Sequence, residues 1–167
     1  MTKRARIRVS PPGPKAKRIV SKDHKLIATA TKTSPIAAKR ARGVVITDVD
    51  GNRYLDFTSG VGVTNTGHCH PKVVEAIQKQ AAELMHFAGT DFYYDVQNRL
   101  AEKLTKITPG KFPKKVFFTN SGTEANECAI KLARWSTKRQ RMISFINAFH
   151  GRSYGSLSLT ASKIVQR

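Results

Sequence analysis

The chain has 167 residues, 40% hydrophobic and 25% charged, a globular composition with enough length for one domain and a real core. Two cysteines, Cys69 and Cys128, make no disulfide framework, so a reducing compartment is expected. No apolar run reaches the roughly 18 residues that span a bilayer, and the net charge of +19 is concentrated in residues 1–42, where thirteen Lys and Arg face the single acid Asp23 and leave +12.

A field of that sign attracts nucleic acid or anionic surfaces. No RNP, zinc-finger or basic-zipper signature accompanies it, so the first expectation is a solvated basic arm that meets polyanions only non-specifically. An organelle-targeting tail is a second reading of the same Arg-bearing, acid-poor segment. A secretory signal is not expected, because no hydrophobic segment follows Met1–Arg6. Pro11, Pro12, Gly13 and Pro14 break any single amphipathic helix there.

In chain order, Lys15 to Ala30 predicts a short helix with Ile19, Leu26 and Ile27 as its apolar positions. Val44, Val45 and Ile46, then Tyr54 to Phe57, flank Asp50-Gly51-Asn52, which predicts a hairpin. Pro71 opens a helix that carries Val74, Ile77, Ala81 and Leu84 on one face. Asp95 is expected to cap the next helix, with Val96, Leu100, Leu104 and Ile107 aligned. Lys115 to Thr119 and Met142 to Ile146 read as buried strands. Between them Thr123 to Trp135 predicts a helix that buries Ala125, Ala129, Leu132 and Ala133.

The chemistry sits at the ends of those two expected strands. Thr119-Asn120-Ser121-Gly122-Thr123-Glu124 is a small-residue loop entering a helix, where free backbone N–H groups and the positive helix end can hold a phosphate. Gly122 allows close approach, and the Ser121 and Thr123 hydroxyls can add donors. The plainer reading is an ordinary cap by Thr123, with Asn126 or Glu127 completing a box. No Walker pattern or dinucleotide glycine spacing is present. Phe149-His150-Gly151 can wall a planar-ring pocket by stacking, and Phe149 as a plain core residue is the competing reading.

Four stretches occur in one order: Asp48-Val49-Asp50-Gly51-Asn52, Asn65-Thr66-Gly67-His68-Cys69-His70-Pro71, Phe118 to Glu127, and Phe149-His150-Gly151-Arg152-Ser153. Their order and spacing over about residues 43–163 resemble the front portion of the class III aminotransferases, such as those acting on 4-aminobutyrate or ornithine. Pro11 to Ala16 also resembles the N-terminal segment of archaeal-type members. The resemblance implies pyridoxal 5′-phosphate (PLP) as cofactor, with Ser121, Gly122 and Thr123 at its phosphate, Phe149 on its ring, His150 beside it, and Val61 lining the substrate pocket. It implies an α/β fold of PLP type I with a mostly parallel sheet, here incomplete. Residues 1–42 form the arm, 43–94 a small-domain segment with its connecting helix, and 95–167 the start of the large domain. Expected partners are an amine and a 2-oxo acid within a cytoplasmic homodimer, with no membrane contact.

In that family a lysine well beyond these motifs forms the Schiff base, and an acid between them holds the pyridinium nitrogen. Neither Lys131 nor Lys163 matches that lysine. The expectation is a catalytically incomplete chain: a truncated gene product, a partial sequence or a piece of a split enzyme. An inactive fragment that dimerises with or regulates a full-length paralogue, and a basic nucleic-acid-associated protein, are the alternatives; racemase and decarboxylase relatives remain open. Gly151-Arg152-Ser153-Tyr154-Gly155 imitates a hydrolase elbow, but no acid or histidine follows His150. His68, Cys69 and His70 are consecutive and cannot all converge on one metal ion, so a turn motif is expected.

Overall fold

The computed structural model describes residues 5–28 and 32–163. They belong to two compact units, Met1–Ala88 and Gly89–Arg167.

The first unit contains α1 (Pro14–Leu26), β1 (Ala38–Arg42), β2 (Val45–Asp48), β3 (Arg53–Leu55), the single turn α2 (Ser59–Gly62) and α3 (Pro71–Glu83). The three strands form an antiparallel sheet in the order β1-β2-β3, with Ile46 opposite Tyr54 and Ala41. The expected hairpin is present. Its turn closes on the Asp48 carboxylate, which accepts the backbone N–H groups of Asp50 and Asn52 at 2.9 and 2.8 Å.

That turn also fastens the basic arm. The buried Asn52 side chain accepts the N–H groups of Arg8 and Val9 at 2.7 and 2.9 Å and donates to the Val9 carbonyl at 2.8 Å. Arg6 and Arg53 exchange backbone hydrogen bonds of 2.9 and 2.8 Å. The Asp50 carboxylate accepts the N–H groups of Lys15 and Ala16, both at 2.9 Å, and so caps α1 from another element. The +12 segment is thus held at Arg6–Ala16 by an acidic turn of its own chain. The helix of the arm starts at Pro14, as the proline cluster requires. The helix ends at Leu26 with Ile27 as its cap, Ala16 is its buried residue, and Ile19, Leu26 and Ile27 are exposed.

Burial pushes the Asp48 carboxyl up, but hydrogen bonds from the Tyr54 hydroxyl, the Asn52 amide and two backbone N–H groups outweigh it and bring it below its ordinary value. A carboxyl lowered by folding stabilises the native state fully above its unfolded value, and that contribution disappears as pH falls through the lowered one. The first unit is therefore expected to lose stability below about pH 4. Thermal unfolding followed from neutral pH downward measures this. A melting temperature that rises on acidification contradicts it.

The second unit holds α4 (Asp95–Ile107), α5 (Gly122–Thr137) and α6 (Tyr154–Leu159). Asp95 is the first helical residue of α4 and Tyr94 the cap, so the carboxylate acts within the first turn rather than as the cap. The two segments expected as buried strands, Lys115–Thr119 and Met142–Ile146, form no strand, and Phe117, Ile143 and Phe145 are exposed. A strand exists only through ladder hydrogen bonds to a neighbour, and among the described residues neither segment finds one. On α5 the buried residue is Ile130, while Ala125, Ala129 and Leu132 are exposed and Ala133 half-buried. The apolar faces predicted for α3 and α4 lie on the helices as expected, yet Ile77, Leu100 and Ile107 remain open to solvent.

Candidate functional site

The start of α5 is built by a reciprocal cap. Ser121 is extended (φ −158°, ψ 161°) and its hydroxyl accepts the Glu124 N–H at 3.3 Å. The Glu124 carboxylate in turn accepts the Asn120 N–H at 2.7 Å. The cap is therefore Ser121, not Thr123, and the carboxylate that reaches back is Glu124, on the N–H of the residue before the cap, rather than Asn126 or Glu127. The N–H groups of Gly122 and Thr123 are first-turn donors that no helical carbonyl can accept. A Cβ placed on Gly122 would meet nothing within 4 Å, so a ligand can approach the helix end closely.

Thr123 is occupied elsewhere. Its hydroxyl lies 2.6 Å from Ser153 Oγ and accepts the Ser153 N–H at 3.2 Å. One turn on, the Glu127 carboxylate accepts the Ser153 hydroxyl at 2.5 Å and the Ser156 N–H at 2.9 Å. Ser156 is fully buried and donates its hydroxyl to the Thr123 carbonyl at 3.0 Å. The Asn126 amide donates to the His150 carbonyl at 2.5 Å, and the His150 N–H donates to Thr160 Oγ1 at 3.0 Å. Five side chains thus join one face of α5 to the loop 149–153 and the start of α6.

The result brings Ser121, Gly122, Thr123, Phe149 and His150 together in one unit. Phe149 is 60% exposed, so it is not core and its ring is available for stacking. Val61 lies in the other unit. There it sits at φ 58° beside Gly60 at φ 61°, a left-handed backbone that is strained for a β-branched residue, and it is 96% exposed. Glu127, Asn126 and Thr160 are organising residues that sequence reasoning missed. The available signal was the i,i+4 spacing of Thr123 and Glu127 on one helix face.

The hydroxyl of Ser153 does meet a carboxylate, but one upstream in sequence. Hydrogen bonds from Ser153 and from the Ser156 N–H hold Glu127 below its ordinary value, which makes it a poor base for activating that hydroxyl. A fluorophosphonate probe is expected to leave Ser153 unlabelled; stoichiometric labelling there contradicts this account. In the first unit, His68 Nε2 bonds the Asp56 carboxylate at 2.7 Å, and Asp56 also accepts the Thr58 and Ser59 N–H groups. Among the described residues no group of three His, Cys, Asp or Glu side chains is placed to hold a metal ion.

A helix end with two free donors and an open approach, beside an exposed aromatic face, can seat a phosphorylated planar ring. The comparisons with known proteins agree in kind. The class-III aminotransferase family model matches residues 26–167. Isoleucine 2-epimerase of Lentilactobacillus buchneri is 39% identical over 90% of this chain and 34% of its own length. A probable 4-aminobutyrate aminotransferase of Bacillus subtilis is 47% identical over 74% of this chain and 28% of its own. Among solved structures, taurine:2-oxoglutarate aminotransferase from Bifidobacterium kashiwanohense, in complex with PLP and glutamate, matches with a TM-score of 0.80 and 29% identity, covering 90% of this chain and 34% of that one.

The chain therefore has the fold of the front part of a PLP-type transaminase, and it belongs to the class-III aminotransferase family. It spans about a third of the length of the relatives it matches. Among the described residues no helix is long and apolar enough to cross a membrane.

Proposed function

We propose that the chain is the PLP-binding front part of an aminotransferase that, in its complete form, moves an amino group from an amine or amino acid to a 2-oxo acid as a cytoplasmic homodimer. Support comes from the family match and from the second unit, where the donor-bearing start of α5 is fixed by side-chain hydrogen bonds to the Phe149–Ser153 loop. When bound, PLP supplies the electron sink for bond changes at the amine-bearing carbon.

In this reading the residues of the chain bind and orient. The N–H groups of Gly122 and Thr123 take the phosphate, with the Ser121 hydroxyl at the rim. The Thr123 hydroxyl serves the scaffold through Ser153 instead of the phosphate. Phe149 covers one face of the ring and His150 lies beside it. The carrying observation is the open Gly122 approach at a capped helix end.

The test compares PLP with pyridoxal, which lacks the phosphate, for the protein and for Gly122→Asp. A first-turn Asp suits a helix start and keeps the fold. It is expected to weaken PLP by roughly 10–100-fold, the worth of one to two charge-assisted hydrogen bonds, and to leave pyridoxal unchanged. Equal affinity for the two compounds overturns the assignment of the phosphate. Transfer of amino groups to 2-oxoglutarate by the complete form tests the reaction class, while this chain alone, with neither Lys131 nor Lys163 matching the Schiff-base lysine, is expected to give no turnover. The epimerase relative motivates a second reading, and inversion of an amino acid without any oxo acid would favour it.

A further inference from the structure

We propose that α1 is a preformed docking rail for the phosphodiester backbone of nucleic acid, read without regard to sequence. The proposal is independent of the PLP site. Lys15, Arg18, Lys22 and Lys25 follow one another at intervals of three, four and three residues and so lie along one face of α1. All four are exposed, and among the described residues none has a carboxylate within ion-pair distance. The opposite face is committed to the protein. Ala16 is buried, Val20 and Asp23 are half-buried, and the side chain of Asp23 pairs with Lys32.

Two features distinguish this row from a loose basic tail. The helix is fastened at its start by the Asp50 carboxylate on the Lys15 and Ala16 N–H groups, and the preceding chain by Asn52 on Arg8 and Val9. The four cations are therefore held in line over about 15 Å, one per roughly 5 Å of helix axis. That is a spacing suited to the close-set, regular charges of a phosphodiester strand. Burying the row against a protein surface would require a carboxylate for each cation.

Charge complementarity selects the occupant. A helix that binds a membrane surface needs a broad apolar face to insert. Beside this row only Ile19 and Leu26 are exposed large apolar side chains of α1, and the helix cannot roll because Ala16 is packed. The strand β1 adds Lys39, Arg40 and Arg42 to the same unit and no acid.

The test is binding of the protein to mixed-sequence duplexes across a salt series. Four backbone contacts predict a slope of log affinity against log salt of about −3.6, or roughly 150-fold weakening from about 50 to about 200 mM salt. Gln at Lys15, Arg18, Lys22 and Lys25 preserves helix propensity, and helix content is checked by circular dichroism. This variant is expected to lose most of that slope. A control with Gln at Lys103, Lys111, Lys115 and Lys131 removes the same charge from the second unit and is expected to keep the slope. Equal losses in both variants would reduce the effect to net charge and overturn the rail. So would an absence of duplex binding, tighter binding to poly-glutamate at matched charge, or tighter binding to anionic phospholipid vesicles.

Discussion

Gly151→Ala is expected to unseat the loop that carries Phe149 and to abolish the weak, non-covalent PLP binding expected of this chain. Gly151 has φ 136°, a conformation that L side chains rarely adopt, and its carbonyl accepts the Thr160 hydroxyl at 2.9 Å. A Cβ there would lie 2.2 Å from Thr123 Oγ1 and 2.6 Å from Thr123 Cβ. The strained backbone costs roughly 1–3 kcal/mol, and overpacking adds roughly 1–3 kcal/mol. The loop cannot yield by small shifts, because Asn126, Thr160 and Glu127 hold it on both sides. Hydrogen exchange of residues 149–156 should accelerate strongly, and PLP affinity should fall while pyridoxal affinity falls as well. Thr123→Ala in the same chain relieves part of the clash, so the double variant should be less damaged than the two single effects predict. Strict additivity would show that the contact between residues 123 and 151 is not what the glycine protects.

Asn52→Ala carries the second large effect, confined to the first unit. Asn52 has no exposed surface, and its amide joins three parts of the chain: the Arg8–Val9 backbone, the Asp48 carboxylate and the β2–β3 turn. Truncation leaves the Asp48 carboxylate short of a donor in a buried position and leaves the arm without its clamp. Three hydrogen bonds between the Asn52 side chain and the arm are lost, each worth about 0.5–1.5 kcal/mol. Local opening of the arm eased by about 3 kcal/mol corresponds to roughly 100-fold faster proteolysis. Trypsin should therefore cut after Arg8 and Lys15 far sooner in the variant, with cutting within the second unit unchanged. Unaltered cleavage after Arg8 would mean that the Arg6–Arg53 pairing and the Asp50 cap hold the arm without Asn52. The same variant should weaken the α1 rail for nucleic acid, since the row of cations depends on a fixed helix.

What the sequence determined is local. Pro14 and Pro71 mark helix starts because a ring with fixed φ and no N–H belongs in a first turn. Asp50-Gly51 marks a reversal between two strands. The small residues Ser121, Gly122 and Thr123 mark a helix entry with free donors. The ordered set of motifs was specific enough to indicate the family, which the family match then showed.

What only the tertiary structure decided concerns partners far apart in sequence. Thr123 looked like the cap, yet its hydroxyl is taken by Ser153, thirty residues away, and the cap passes to Ser121. Glu127 was a candidate to complete a cap box, and it is instead the acceptor that joins α5 to α6. Asn52 looked like a turn residue, and it holds the arm. Lys115–Thr119 and Met142–Ile146 have the apolar pattern of strands, but a pattern fixes which face a segment would bury and not whether a neighbour is there to pair with it. Periodicity is a property of consecutive residues and can be read along the chain. A hydrogen bond between side chains thirty or more residues apart leaves no spacing to read, because the fold alone sets the distance between them.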